Sequence, residues 1–413
     1  MAKRSKTLAE PETTLTKTSL RLRNIGKNCL LIFLSLALAL GACEAVLRFY
    51  NPFGFRIKGD NIILPVNKKE IRYHAKGTKL DEVVIHQNNS LGFTGPEPPP
   101  DFNNWLTLVT VGGSTTECLE IAQKKTWPYL LGVSLQQRFP RLWVNNAGLS
   151  GQSTFGHYVL MRDFIRKLKP KVVVFLVGIN DVGISDAREF DTRTSTKITF
   201  RSWERFLAAM AYRSEVASLL LNLERYYFPK SVMGIGQKGM RELDLTKLPK
   251  LAMSAEKEAA LKRTHEEKYV PLYEVRLKRL LKITRQNGMD PILVTQPVVY
   301  GKLVDDVTGV DFSDKAVGYG LNGEVGWDIL NLYNDVTRKV GREEGVLVVD
   351  LARELPQSSL YYYDLMHYSN QGNARVAAIL ARHLTPYLAE KYHSYYKPPL
   401  DPHTAAAPVS QAR

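Results

Sequence analysis

From Trp105 onward the chain alternates short apolar runs with longer amphipathic ones, and few architectures tolerate that rhythm. LTLVTV (106–111), LWVNN (142–146), KVVVFLVG (171–178), PILVTQP (291–297) and VLVVDL (346–351) read as strands. TWPYLLGVSLQQRF (126–139) and STFGHYVLMRDFIRKLK (153–169) read as helices between them. After its leading lysine, KVVVFLVG shows no polar alternation, the mark of a strand covered on both faces. A strand of that kind needs helices above and below it. The alternation therefore predicts an α/β chain with a mostly parallel sheet and helices on both faces.

Of 413 residues 44% are hydrophobic, more than one compact α/β domain needs, so one main domain with added segments is expected. The regular pattern fills 105–396. It breaks at about 184–266, a stretch rich in Arg, Tyr and Leu with helix-like pieces such as ERFLAAMAYRSEVASLLLNLERYY (204–227), which reads as an inserted, mainly helical cap. Residues 48–104 are punctuated by Gly, Pro and Asn and end in PEPPPDFNN (96–104), a linker or N-terminal extension. Residues 397–413 are poor in apolar content and read as a disordered tail. No repeat of the solenoid kind is visible.

The N-terminus poses a membrane question. Cys29 to Leu47 is apolar apart from Glu44 and would rise roughly 28 Å as a helix, close to a bilayer core of about 30 Å. Residues 1–28 carry seven Lys/Arg against two Glu, a net +5 of the chain's +15. This reads as a cytoplasmic tail (1–28) and a single-pass signal anchor (29–47), with the catalytic domain on the exoplasmic side, although Arg48, Arg56 and Lys58 weaken the charge bias. A cleaved or lipidated signal, with LGAC (Leu40–Cys43) as a loose lipobox, and a buried core helix are the alternatives. A basic surface can meet nucleic acid, anionic lipid or anionic glycan. No zinc-finger spacing, RNA-recognition signature or clean helix-turn-helix is present, so nucleic acid is not expected as a partner. Three cysteines, Cys29, Cys43 and Cys118, give neither a disulfide framework nor a metal-ligand cluster.

In an open parallel sheet, ligands bind beyond the carboxyl ends of the strands. The residues just past each strand are therefore informative. After the first comes GGSTTE, after the second NAGLSGQS (146–153), after the third GIND (178–181), and after the last YYYDLMHYSNQGN (361–373). Ser114 is a nucleophile candidate, with glycines before it that permit close backbone approach. A helix N-cap serine is the ordinary alternative. Thr116 stands where a G-x-S-x-G elbow needs glycine, which argues against an ordinary α/β-hydrolase. His367 is the base candidate, and Asp364 three residues earlier can orient it. Gly151, through its N–H, and Asn180, through its amide, are oxyanion donors, each also readable as a turn residue.

These four blocks resemble those of the SGNH hydrolases, the GDSL esterases and lipases. The resemblance covers about 105–181 and 345–390. It implies a three-layer, flavodoxin-like α/β/α sandwich. It also implies Ser114 as nucleophile, Asp364 and His367 completing a triad, and an oxyanion hole made of the Ser114 and Gly151 N–H groups and the Asn180 side chain. The family's commonest first block has Asp where this chain has Gly113. The GGST form resembles membrane-anchored, envelope members. The implied activity is a serine esterase acting on an O-acyl ester, with an envelope glycan or lipid as its substrate class and no metal or cofactor required. Two other readings use the same residues: an O-acyltransferase that passes the acyl group to a sugar hydroxyl, and a non-catalytic membrane-bound binding subunit. Of the other residues, His157 reads as a surface or packed histidine and Glu117, at the end of the first block, as a helix-capping acid. Tyr361 to Tyr363 read as a pocket wall or as packing.

Overall fold

The computed structural model describes residues 14–50, 57–58, 61–62, 64–185, 210–211, 213–220, 242–318 and 320–398. Five strands pair in parallel: β1 (Leu106–Gly112), β2 (Leu142–Asn146), β3 (Val172–Leu176), β4 (Asp290–Val294) and β5 (Val348–Val349). Their spatial order is β5-β4-β3-β1-β2. Every residue of β1, β2 and β3 is buried, which is why these runs show no polar alternation. The last strand is much shorter than its sequence suggests. Asp350 turns out of the ladder to meet the Arg338 guanidinium at 2.8 and 2.9 Å, and a short helix starts at Leu351.

Besides the long N-terminal helix α1 (Thr14–Phe49), the helices that frame the sheet are α2 (Ser114–Glu117), α3 (Trp127–Gln136), α4 (Thr154–Leu160), α5 (Val270–Gln286), α6 (Gly323–Glu344) and α7 (Asn370–Lys391). From β1 the chain steps outward to β2, then back across β1 to β3. Right-handed crossovers in opposite directions put α3 and α4 on opposite faces. α3 packs with α7 in one layer, and α4, α5 and α6 pack together in the other. The result is the three-layer α/β/α sandwich. α4 runs on through one π-turn at Met161–Ile165, so the helix expected over 153–169 is nearly continuous. The order reverses between β1 and β3, and a sheet of this kind opens its crevice at such a point.

Residues 64–104 are folded onto this domain. Lys69–Tyr73 and Val83–Gln87 form an antiparallel hairpin, and His86 Nε2 lies 2.8 Å from the Ile121 carbonyl beyond α2. Thr94 and Asn146 exchange two backbone bonds of 2.9 Å, fastening this extension to the end of β2. Within α1, Asn24–Phe49 is long and apolar enough to cross a membrane, with a mean hydropathy of 2.4. The helical piece expected at 204–227 lies mostly outside the described residues, but 215–220 is helical. Of the tail expected at 397–413, all but 397 and 398 lie outside them.

Candidate active site

Ser114 stands two residues past β1, at the first position of a single helical turn. That turn closes when the Cys118 N–H reaches the Ser114 carbonyl at 2.9 Å, and Cys118 then takes a left-handed backbone, φ 55°. The serine is thus offered at the sheet's carboxyl edge instead of being carried into a long helix. Gly113 is required by proximity, since a Cβ there would overlap the Asn180 amide nitrogen. The Cys118 thiol is buried, and burial pushes its pKa up, away from the reactive thiolate.

The histidine comes from the loop before α7. Asp364 Oδ1 accepts the N–H groups of Met366 (2.9 Å) and His367 (2.7 Å), which fixes the loop as a tight Asx turn. Its other oxygen, Oδ2, faces His367 Nδ1 at 2.6 Å. His367 Nε2 lies 2.7 Å from Ser114 Oγ. The structure therefore brings Ser114, His367 and Asp364 into one hydrogen-bonded line. Tyr363 stacks on the imidazole at 5.7 Å with an interplanar angle of 13° and donates its N–H to the His367 carbonyl. Tyr362 is fully buried against Tyr368, so of the three tyrosines Tyr363 is the one that faces the histidine ring.

Gly151 has φ +77°, a conformation that side chains resist, and open space where a Cβ would point. Among the described residues neither its N–H nor that of Ser114 makes a hydrogen bond. The Asn180 amide donates to the Gln152 carbonyl at 3.0 Å, which leaves its second hydrogen uncommitted. Ser114, Gly151 and Asn180 thus follow the carboxyl ends of three adjacent strands, β1, β2 and β3.

Glu117, expected as a helix-capping acid, and three residues to which the sequence assigned no role hold these groups in place. Glu117 accepts the Ser150 N–H at 2.7 Å and bonds its hydroxyl, so this acid braces the loop that carries Gly151. Asp181 bonds the Thr154 hydroxyl at 2.6 Å and meets Arg276 of α5 at 3.1 Å, while Arg276 Nε donates to the same hydroxyl at 2.8 Å. Burial raises the Asp181 pKa, and Arg276 and Thr154 pull against that rise. Asn373 of α7 accepts the Trp127 N–H at 2.8 Å and donates to the Tyr368 and Ser369 carbonyls at 3.0 Å, tying the histidine loop to the segment after Ser114. Asp181 and Asn373 lie inside the quoted blocks, a usable clue. Arg276 is 95 residues from Asp181 and carries no local signature.

His157 is fully buried, and burial holds its pKa down at about 3. It takes no part in the site. A cavity of about 470 Å³ lined by Val270, Leu332, Arg338 and Arg342 lies among α5 and α6 and contains none of the candidate residues. Among the described residues no group of three His, Cys, Asp or Glu side chains is placed to hold a metal ion.

A family model described as GDSL-like Lipase/Acylhydrolase matches residues 110–375, a span that takes in all four blocks. No curated protein matches the chain. Among solved structures, a lipolytic protein of the G-D-S-L family from Desulfitobacterium hafniense DCB-2 is 15% identical, with 67% of this chain and 98% of that one covered and a TM-score of 0.36. A catalytic mutant of an acetylxylan esterase from Geobacillus stearothermophilus is 15% identical, covers 67% and 93%, and gives a TM-score of 0.38. An α/β hydrolase enzyme from the metagenome of Lake Arreo, Spain, is 18% identical, covers 68% and 95%, and also gives 0.38.

Proposed function

This chain belongs to the GDSL-like lipase/acylhydrolase family and is an ester-hydrolysing enzyme, and from that premise we propose that Ser114, His367 and Asp364 are its triad. Family membership sets aside the reading as a non-catalytic subunit. The observation that carries the proposal is the line Asp364 Oδ2–His367 Nδ1 (2.6 Å) and His367 Nε2–Ser114 Oγ (2.7 Å). With Nδ1 protonated and donating to Asp364, Nε2 carries the free lone pair that a general base needs.

The reaction runs in two halves. His367 takes the Ser114 proton as Oγ attacks an ester carbonyl. The carbonyl oxygen becomes an oxyanion, received by the Ser114 and Gly151 N–H groups and the Asn180 amide. Asp364 stabilises the imidazolium without taking its proton. His367 then protonates the departing alkoxide, leaving an acyl group on Ser114. In the second half water, deprotonated by the same histidine, attacks the acyl carbonyl, and collapse of the second tetrahedral intermediate returns the proton to Ser114.

The enzyme is a single-pass membrane protein anchored through residues 29–47, with a cytoplasmic N-terminus and the catalytic domain on the exoplasmic side. The length and hydropathy of α1 and the preceding cluster of basic residues support this. Its substrate is an O-acyl ester on an envelope glycan or lipid, a class that fits a basic domain held at the membrane. The test is p-nitrophenyl acetate turnover by the full-length chain. Ser114→Ala should abolish it, and turnover that survives the substitution would remove Ser114 from the mechanism. Product analysis with an oligosaccharide present separates hydrolysis from transfer: free acid alone supports the esterase, and acylated sugar supports the transferase.

A further inference from the structure

Glu44 is the one charge in the apolar stretch of α1. A carboxylate there needs a partner, and an ionisable group in a membrane span marks function by default. Here the partners come from the inserted segment, about 170 residues later. Glu44 accepts the Ser214 hydroxyl at 2.8 Å and the N–H groups of Glu215 (3.0 Å) and Val216 (3.1 Å). Arg48, one turn on, bonds Glu44 at 2.8 Å through Nε and donates from Nη2 to the Arg213 carbonyl at 2.8 Å. Four hydrogen bonds therefore pin residues 213–216 to the last turns of the anchor.

The depth of this contact is set by the helix. Glu44 lies three residues inside Leu47, so about 4–5 Å below the end of the apolar stretch. That is where acyl chains give way to headgroups. On either side of the pinned segment Met210 and Leu220 are 44% and 51% exposed, and Val46 and Phe49 of the anchor are 61% and 93% exposed. Met210 and Leu220 thus flank the pinned segment, and Val46 and Phe49 flank Glu44 and Arg48 on the anchor. The insertion leaves the domain just after Asn180 and Asp181 and returns at Glu242 and Leu243. There the Leu243 N–H meets the Tyr363 carbonyl at 2.9 Å, beside the histidine loop.

We propose that residues 213–220, with Met210 beside them, rest on the bilayer surface, with lipid covering their exposed apolar side chains, and that Glu44 and Arg48 latch them there. The catalytic domain is then fastened to the anchor twice, through the chain after Tyr50 and through the latch. A tether alone would leave it free to swing. The inference rests on reading α1 as a membrane anchor.

The test uses the full-length chain with Cys29 and Cys43 replaced by Ala and one bimane-labelled cysteine at either Leu220 or Phe49. The protein is reconstituted in phosphatidylcholine/phosphatidylglycerol vesicles with and without brominated acyl chains. Both labels should be quenched by the brominated lipid. Glu44→Leu should abolish quenching at position 220 while leaving quenching at 49 and p-nitrophenyl acetate turnover unchanged, the turnover reporting that the domain is folded. Quenching at 49 without quenching at 220 in the otherwise unaltered chain would overturn the proposal and leave the anchor standing. Quenching at neither would overturn the anchor and the proposal together. Quenching at 220 that persists in Glu44→Leu, and in Ser214→Ala, would remove Glu44 as the latch.

Discussion

Replacing Gly113 by Ala adds one carbon at the point where the nucleophile turn and the Asn180 loop meet. That carbon would overlap the Asn180 amide nitrogen, and the next atoms it meets, Asn180 Cγ and the Gln152 carbonyl, are at an ordinary 3.5 Å. The obstacle is therefore the far end of one side chain. Asn180 can swing clear without moving the backbone, so the fold should survive. Swinging clear breaks its 3.0 Å bond to the Gln152 carbonyl, worth about 1 kcal/mol net, a shift in Tm of only a few degrees. Activity should respond far more. A displaced Asn180 removes one of the three proposed oxyanion donors, and loss of one such donor costs roughly 10²–10³ in kcat, or about 3–4 kcal/mol of transition-state stabilisation. The assay is kcat and KM on p-nitrophenyl acetate for Gly113→Ala, Asn180→Ala and the double variant. Both substitutions act through one amide, so the double variant should lose about as much as either single one. A Gly113→Ala enzyme with near-normal kcat, or losses that multiply in the double variant, would refute the claim that Gly113 is glycine to admit the Asn180 amide.

The geometry sets three further outcomes. Asp364→Asn keeps an acceptor for the Met366 and His367 N–H groups but turns an amide donor toward Nδ1, forcing the proton to Nε2; kcat should fall by about 10⁴ with little change in Tm, as steady-state kinetics and melting will show. Arg276→Met leaves Asp181 buried and uncompensated and should cost about 3–5 kcal/mol in urea unfolding, with Asp181→Asn in the same chain restoring much of the loss. His157 stays neutral in the fold, with its pKa held at about 3, while the unfolded chain protonates it near 6.5. Stability from this group is therefore full above about pH 6.5 and falls as pH drops toward 3. By about pH 5 the loss is about 2 kcal/mol, and His157→Gln should flatten that part of the unfolding profile.

The parts of this protein that are legible in its sequence are local. Each sheet strand is a short apolar run, the first three blocks of the candidate site sit within a few residues of a strand end, and the fourth follows the last strand by about a dozen residues. That is why Ser114, Gly151, Asn180 and the Asp364/His367 pair can be placed in order without knowledge of the fold. The contacts that hold those blocks together are not legible. Arg276 reaches Asp181 from another helix, Asn373 joins two blocks across the sheet's edge, and Glu44 meets Ser214 from outside the domain altogether. No periodicity records such pairings, since either partner alone looks like an ordinary polar residue. The hairpin at 69–87 is hidden for another reason. Its strands alternate exposed and half-buried or buried positions on a small two-stranded unit, and its Gly- and Pro-rich surroundings read as linker. β5 is shorter than its apolar run because only Val348 and Val349 pair in register with β4, although Leu347 still lends its carbonyl to the Leu293 N–H at 2.9 Å and packs with Val346 against the core.

The separation of 253 positions between Ser114 and His367 also sets a timetable. At a synthesis rate of about 5–20 residues per second, the proposed nucleophile exists for roughly 13–50 s before its proposed base has been made. Throughout that interval the serine is an ordinary alcohol, because nothing nearby in the chain can take its proton. The last long helix to be synthesised carries Asn373 near its start, and in the folded chain Asn373 ties the histidine loop to Trp127. The order of the elements along the chain thus acts as a delay, keeping the proposed nucleophile without its base until the C-terminal part of the domain has been made.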